Sequence, residues 1–416
     1  MNVVIFGGSS HSTPALFDYL SHLKQRPSIR ITLVGRSLNR LQAVRRAGLI
    51  LLAGGHAEIR IAQSHSAVDE ALGCADVVIV QVRVGGYAGR SFDETFPIKY
   101  GICGDEALGP GGLSAAWRAW PVIGEMIKRI DTAAPQALVL ILSSPVGLLV
   151  RTATRICSRI TPLGICELPW TTIDHVCQIA AVRSVDADFD YVGINHVGWI
   201  YRLTSGPRDL INEYACIREE AHDFPSADLI RRHAAIPTKY LRLHCHPNEV
   251  LNEQRANRTS RGDILRELSE ETFPIYEKGT VGQIRNILRK RATLWYSDAI
   301  GPLLAAYMGF AVLQNFFLSR PNKGADPNFE YDDVLEVPHV YANGNLVQRV
   351  RESNPSTEIT GMLKRFLRCE TLASDAILFR DRRKLEEALA IHPWVKDQRT
   401  VSPMAASIEK FYGDGV

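Results

Sequence analysis

Short runs of apolar, mostly β-branched residues recur in the first half of the chain, with longer mixed stretches between them. Val3–Phe6, Ile31–Val34, Val77–Val82 and Ala137–Leu142 have no polar alternation, the pattern of strands covered on both faces. Residues 14–25 and 37–47 supply intervening helices, the second opening on Ser37 as a cap. Leu163–Cys166 reads as a further strand that closes the sheet near residue 195. The alternation predicts an α/β fold with a doubly wound parallel sheet. Beyond it, residues 213–234, 246–271 and 279–318 are more charged and helical, predicting a second, mostly helical α+β domain. Pro321–Pro327 reads as a loop, Val334–Pro338 as a short strand, and 354–392 as long helices. The expected division is 1–195 and 196–416.

The first strand breaks into Gly7-Gly8-Ser9-Ser10 before a Ser/Thr/Pro helix start, so strand, tight turn and helix entry follow directly. Glycines there let a backbone approach a pyrophosphate, and the helix N-terminus adds its positive end. The match to GxGxxG is partial, since Ser9 and Ser12 stand at two glycine positions. Its place after the first strand favours a Rossmann-type dinucleotide site over a nucleotide-free turn. At the end of the second strand, Gly35-Arg36-Ser37 replaces the acid that usually holds an adenosine ribose. Arg36 and Arg40 suit a 2′-phosphate, or are simply solvated. Val82 and Arg83, at the carboxyl edge of the sheet, complete the expected cofactor contacts.

Composition narrows the class. A net charge of +3 on 416 residues, with no basic block, does not imply a polyanion partner, so we expect no nucleic-acid binding. No apolar stretch approaches the roughly 20 residues that cross a bilayer, so we expect a cytoplasmic enzyme without membrane contact. The eight cysteines form no CxxC pair and read as buried thiols.

Residues 81–121 are dense in glycine, acids and arginine, and read as a long functional loop at an active-site rim. Two further clusters follow, Gly164–Pro169 around Cys166 and Asp190–Trp199 around His196. A thiolate and an imidazole are good ligands for a transition metal, although a core cysteine and a satisfied histidine are the commoner fates. His244-Cys245-His246 is a poorer metal motif, because adjacent residues point in different directions.

The ordered succession GGSS…TP, QxRxGGxxGR, GxGG…A.R..P, GxCxxP, DYxGxNHxxW and PxxYLR, from residue 2 to about 345, resembles the family-4 glycoside hydrolases. These are NAD-dependent, metal-requiring relatives of lactate and malate dehydrogenases. The resemblance implies NAD, or NADP, and Mn²⁺ or another divalent metal. It implies oxidation of the sugar at C3, removal of the C2 proton, elimination of the C1 substituent, water addition and re-reduction, a departure from two-carboxylate glycosidases. On matching positions it implies Cys166 and His196 as metal ligands, Tyr240 as the C2 base and Asn195 as a sugar contact. Glu167 stands where α-specific members carry aspartate and β-specific ones asparagine, and is implied as general acid to the leaving oxygen. Homodimers or homotetramers are implied by the same analogy.

Departures mark a rebuilt sugar pocket: Gly104-Asp105-Glu106-Ala107 replaces GQET, and Ser144-Pro145 replaces an NP dipeptide. Asp105 and Ser144 are candidate substrate contacts. Arg83, Arg90, Arg118 and Arg291 are candidates for gripping a phosphate, sulfonate or carboxylate. The expectation is a glycosidase for a small anionic glycoside. The alternatives are a sugar dehydrogenase or epimerase on the same fold, and a catalytically silent dinucleotide-binding sensor.

Overall fold

The computed structural model describes residues 1–413 except 26, 222, 258 and 292. Six parallel strands, β1 Asn2–Phe6, β2 Ile29–Val34, β3 Ala57–Ala62, β4 Val77–Val80, β5 Leu138–Ile141 and β6 Leu163–Cys166, form the framework in the order 6-5-4-1-2-3. Successive side chains of a strand point to opposite faces. Val4, Phe6, Val78, Val80, Val139 and Ile141 therefore enter one core, while Val3, Ile5, Ile31, Leu33, Val77 and Ile79 enter the other. β3 (AEIRIA) alternates in burial because it is the outer edge strand.

The sheet does not close near residue 195. β7 Asp188–Ile194 and β8 Val197–Ser205 leave it as a separate hairpin, which the short β9 Arg208–Asp209 and β10 Ile236–Pro237 extend. The chain then returns through β11 Phe316–Pro321, β12 Val334–Ala342 and β13 Asn345–Gln348, which add antiparallel to β6 and make a nine-stranded sheet. The helix Thr357–Phe379 packs Ala373, Ala376 and Ile377 into the core of the parallel sheet and Leu363 and Phe366 into the core beneath the hairpin. The two halves thus share a sheet and cores.

Helix α1 (Pro14–Ser21) stops short of residue 25, where Ser21 Oγ and His22 Nδ1 both reach the Asp18 carbonyl at 2.7 Å. α2 (Leu38–Leu51) starts on Ser37, whose hydroxyl accepts the Arg40 N–H at 3.5 Å. The segment 81–121 is not a long loop: it folds into α4 (Gly86–Thr95), a short 3₁₀ turn at Pro97–Tyr100 and α5 (Gly109–Ala133), after α3 (His65–Gly73). No described helix is long and apolar enough to cross a membrane. All eight cysteines are free, and Cys74 and Cys216 are exposed rather than buried.

Candidate active site

The site sits at the carboxyl ends of β1, β4, β5 and β6. Gly7 and Gly8 both donate to the Val34 carbonyl, at 2.9 and 3.0 Å, which folds the turn against the end of β2. Gly7 has φ 82°, and a Cβ there would stand 2.8 Å from the Gln81 carbonyl oxygen, so only glycine lets β1 and β4 approach this closely. Gln81 Nε2 in turn holds the Gly7 carbonyl at 3.2 Å and Thr13 Oγ1 at 3.0 Å. No side chain caps α1 and no acid lies in its first turn, so its N-terminus, flanked by Ser9 and Ser10, is open to an anion. These features fit a dinucleotide pyrophosphate.

A second cluster is built where β6 ends and the hairpin turns. Tyr191 lies across Gly193 and Gly198, where any Cβ would collide with its phenol. Its hydroxyl donates to Glu336 at 2.5 Å, and Asn195 Nδ2 donates to the same carboxylate at 3.2 Å. The hairpin end is thereby fixed, with His196 at φ 69°, a conformation that costs a non-glycine residue on the order of 1 kcal/mol. The His196 ring stacks on Tyr240, with centroids 4.3 Å apart and planes 4° from parallel. Burial pushes the imidazole down to about 4, so it is neutral, and its Nδ1 is buried without a hydrogen-bond partner among the described residues.

Cys166 is the last residue of β6, buried, with Sγ 3.9 Å from a Glu167 carboxylate oxygen. Burial raises the thiol well above its usual range, with Glu167 and Glu336 adding to the effect. Burial also raises Glu167, which Lys239 opposes and Asp298 reinforces. The Tyr240 phenol is raised by burial first, then by Asp105, against the pull of Arg90; Glu167 and Cys166 push it further up. The neutral His196 imidazole with its unpartnered nitrogen, and the Cys166 thiol at the end of β6, are donor types that suit a borderline-soft divalent metal. Among the described residues no three Cys, His, Asp or Glu donors converge, so the protein would offer two ligands and leave the rest to other groups.

The arginines divide into three kinds. Arg118 does not face the site: Nη1 meets Asp93 Oδ1 at 2.9 Å, Nε donates to the Val84 carbonyl at 3.0 Å, and the pair is buried. A planar guanidinium against a carboxylate in α4 makes a structural clamp instead of a substrate grip. Arg83 and Arg90 converge on Glu106, Arg90 at 2.7 Å, and Arg90 also pairs with Glu94 at 2.7 Å. Asp105 turns its carboxylate onto the Ala107 and Leu108 N–H groups, at 2.8 and 3.0 Å, where α5 begins. Arg291 pairs with no carboxylate among the described residues; it donates to His11 Nε2 at 2.6 Å and Ser12 Oγ at 2.7 Å and lies over the Trp295 ring, 4.9 Å from its centroid. Ser144 follows β5, half-buried, next to Ser143, which donates to the Val82 carbonyl at 2.8 Å. Arg36 and Arg40 are exposed at the end of β2.

Three participants escape sequence reading. Glu336 lies in VLEVP, where a lone acid in an apolar strand was the only signal. Glu106 stands next to Asp105 in the same motif. His11 follows the serines of the turn and, being buried among Arg291, Arg83 and Arg40, is lowered to about 3 and neutral. The HCH motif separates as expected: His244 Nδ1 faces Trp394 Nε1 at 3.3 Å, while His246 Nδ1 faces Glu249 at 3.2 Å.

Such a sheet, with a glycine turn open to an anion at its carboxyl edge, defines a Rossmann-type α/β protein. The family 4 glycosyl hydrolase model matches residues 2–182 and the model of that family's C-terminal domain matches residues 191–395, so the chain belongs to this family and is a glycosidase. It is 26% identical to 6-phospho-alpha-glucosidase 1 of Lacticaseibacillus paracasei, over 95% of this chain and 93% of that protein. The fold is similar to the 6-phospho-beta glucosidase of Thermotoga maritima solved with manganese, NAD⁺ and glucose-6-phosphate, with TM-score 0.87, 22% identity, and 100% and 99% of the two chains covered. It is also similar to Trichomonas vaginalis lactate dehydrogenase, solved with NADH and oxamate, with TM-score 0.54, 11% identity, and 91% and 99% covered.

Proposed function

We propose that the protein hydrolyses a small 6-phosphorylated glucoside by the redox-neutral elimination route, with Tyr240 and Glu167 moving the protons. The observation that carries this reading is the parallel stack of Tyr240 on His196. The stack sets the implied base against one of the two implied metal ligands. The names of the relatives support a phosphorylated glucoside, and both anomers occur among them.

Cys166 and His196 would hold the metal, and the turn Gly7–Ser10 with Val82 the dinucleotide; when bound, the nicotinamide supplies a reversible oxidant at C3 and the metal a Lewis acid. Tyr240 Oη takes the C2 proton. Without a cation its phenol is held above its ordinary range, so the base is inert until positive charge arrives. Glu167, whose carboxyl burial raises, gives the proton to the leaving oxygen. Arg291 binds the phosphate, since of the four candidate arginines it is the one that pairs with no carboxylate among the described residues. Asn195 and Ser144 orient the sugar.

A sugar dehydrogenase or epimerase would need the same oxidant but no acid at the leaving group, so Glu167 favours the hydrolase. In this reading the enzyme is a cytoplasmic homodimer or homotetramer, with cofactor binding centred in residues 1–195 and phosphosugar binding in 196–416. The test is incubation with nicotinamide dinucleotide, Mn²⁺ and α- and β-aryl 6-phosphoglucosides. Release of the aglycone without net reduction of the dinucleotide supports the proposal; accumulation of reduced dinucleotide without release overturns it.

A further inference from the structure

The end of β2 is where a Rossmann sheet reads the adenosine ribose, an acid there selecting a free 2′-hydroxyl and an arginine a 2′-phosphate. From Ile29 to Ala57 the chain carries no Asp or Glu, but it carries Arg30, Arg36, Arg40, Arg45 and Arg46. Arg30, Arg45 and Arg46 are engaged, with Glu58, the Ile59 carbonyl and the carbonyls of Tyr276 and Gly279. Arg36 and Arg40 are exposed, and neither guanidinium meets a carboxylate among the described residues.

Their backbone is nevertheless fixed. Gln63 Nε2 donates to the Gly35 and Arg36 carbonyls, at 3.2 and 3.1 Å, and Ser37 caps α2 through the Arg40 N–H. Arg40 is steadied over the Phe273 ring, 4.9 Å from its centroid. A Cβ on Gly35 would lie 3.0 Å from Ser9 Oγ, which places this arm directly against the pyrophosphate turn. An anchored arm with two unneutralised guanidinium groups and no acid is built for a dianion. For a bare ribose diol it offers no carboxylate acceptor.

We infer that the dinucleotide of this protein is the 2′-phosphorylated form, NADP, gripped by Arg36 and Arg40, although the solved relative described above holds NAD⁺. The inference rests on the cofactor reading of the preceding subsection and narrows it. A phosphate dianion between two guanidinium groups gains charge-assisted hydrogen bonds that NAD⁺ cannot make.

The test is calorimetric titration of the full chain with NADP⁺ and with NAD⁺, without sugar. NADP⁺ binds at least about tenfold more tightly, and its affinity falls more steeply with salt. Arg36→Asp reverses the order, losing NADP⁺ while keeping or gaining NAD⁺, which also shows that this variant is folded; Arg40→Ala weakens NADP⁺ selectively. Equal or tighter binding of NAD⁺ by the unaltered protein overturns the inference and leaves the glycosidase reading intact. An Arg36→Asp variant that loses both dinucleotides in equal proportion also overturns it. Binding of neither by the unaltered protein overturns the cofactor reading and this inference together.

Discussion

Arg291 donates through Nη1 to His11 Nε2 at 2.6 Å. That nitrogen must therefore be the acceptor, which leaves the ring proton on Nδ1, 2.7 Å from Tyr87 Oη. The histidine is neutral, since burial and Arg291 hold it near 3. It orients the arginine without cancelling its charge. Burial and the neighbouring Arg90 and Arg83 lower Arg291 to about 10, still cationic at neutral pH. An incoming phosphate relieves that repulsion.

Arg291→Gln should accordingly raise KM for a phosphorylated glucoside on the order of 100-fold, as expected for losing one partner of a desolvated charge pair. kcat should change far less. Steady-state kinetics check this, and a fall in kcat with KM unchanged would place Arg291 elsewhere in the cycle.

Arg118 should behave oppositely. Its carboxylate partner Asp93 is buried and already raised to about 6 by desolvation. Arg118→Ala strands that group and should cost about 3–5 kcal/mol of stability. A urea titration reads this loss directly; a folded variant of normal stability with only a KM defect would restore the substrate role.

Glu370 makes stability pH-dependent. Burial raises its carboxyl from 4.5 to about 7, against the pull of Arg151, and its Oε2 has no hydrogen-bond partner among the described residues. A folded pKa above the unfolded one means the contribution is full below about pH 4.5 and is lost as pH rises through 7. The loss amounts to about 3 kcal/mol. Glu370→Gln should flatten the Tm profile between these limits. A profile unchanged by the substitution would show that the carboxyl titrates normally.

The Cys166 assignment has a readout apart from turnover. Cys166→Ser should lose bound Mn²⁺ by elemental analysis after desalting while dinucleotide affinity stays within about twofold. Stoichiometric manganese in this variant would contradict the ligand role.

Sequence alone went furthest where one physical requirement acts locally. The parallel strands are legible because burial on both faces demands unbroken apolar runs, and β3 was missed because an edge strand is free to alternate, as AEIRIA does. The return of β11–β13 to the sheet is not legible, since pairing across more than a hundred residues leaves no local pattern. Segment 81–121 looked like a loop because its glycines suggested one. In the fold, Gly104 and Gly111 are places where a Cβ would strike the backbone of Glu94 and Asp105, so they allow helices to pack closely. Cys166, His196 and Tyr240 stand in motif segments that the sequence displays directly. Glu336 does not, because its importance lies in being reached by Tyr191 and Asn195 from another part of the chain.

The central claim is that Tyr240 removes the C2 proton of the sugar. Turnover of an aryl 6-phosphoglucoside in D₂O, with the product examined by NMR, tests it most directly. The account predicts one deuterium at C2 of the released glucose 6-phosphate, and loss of both release and exchange in Tyr240→Phe. Aglycone release with C2 fully protiated would contradict it.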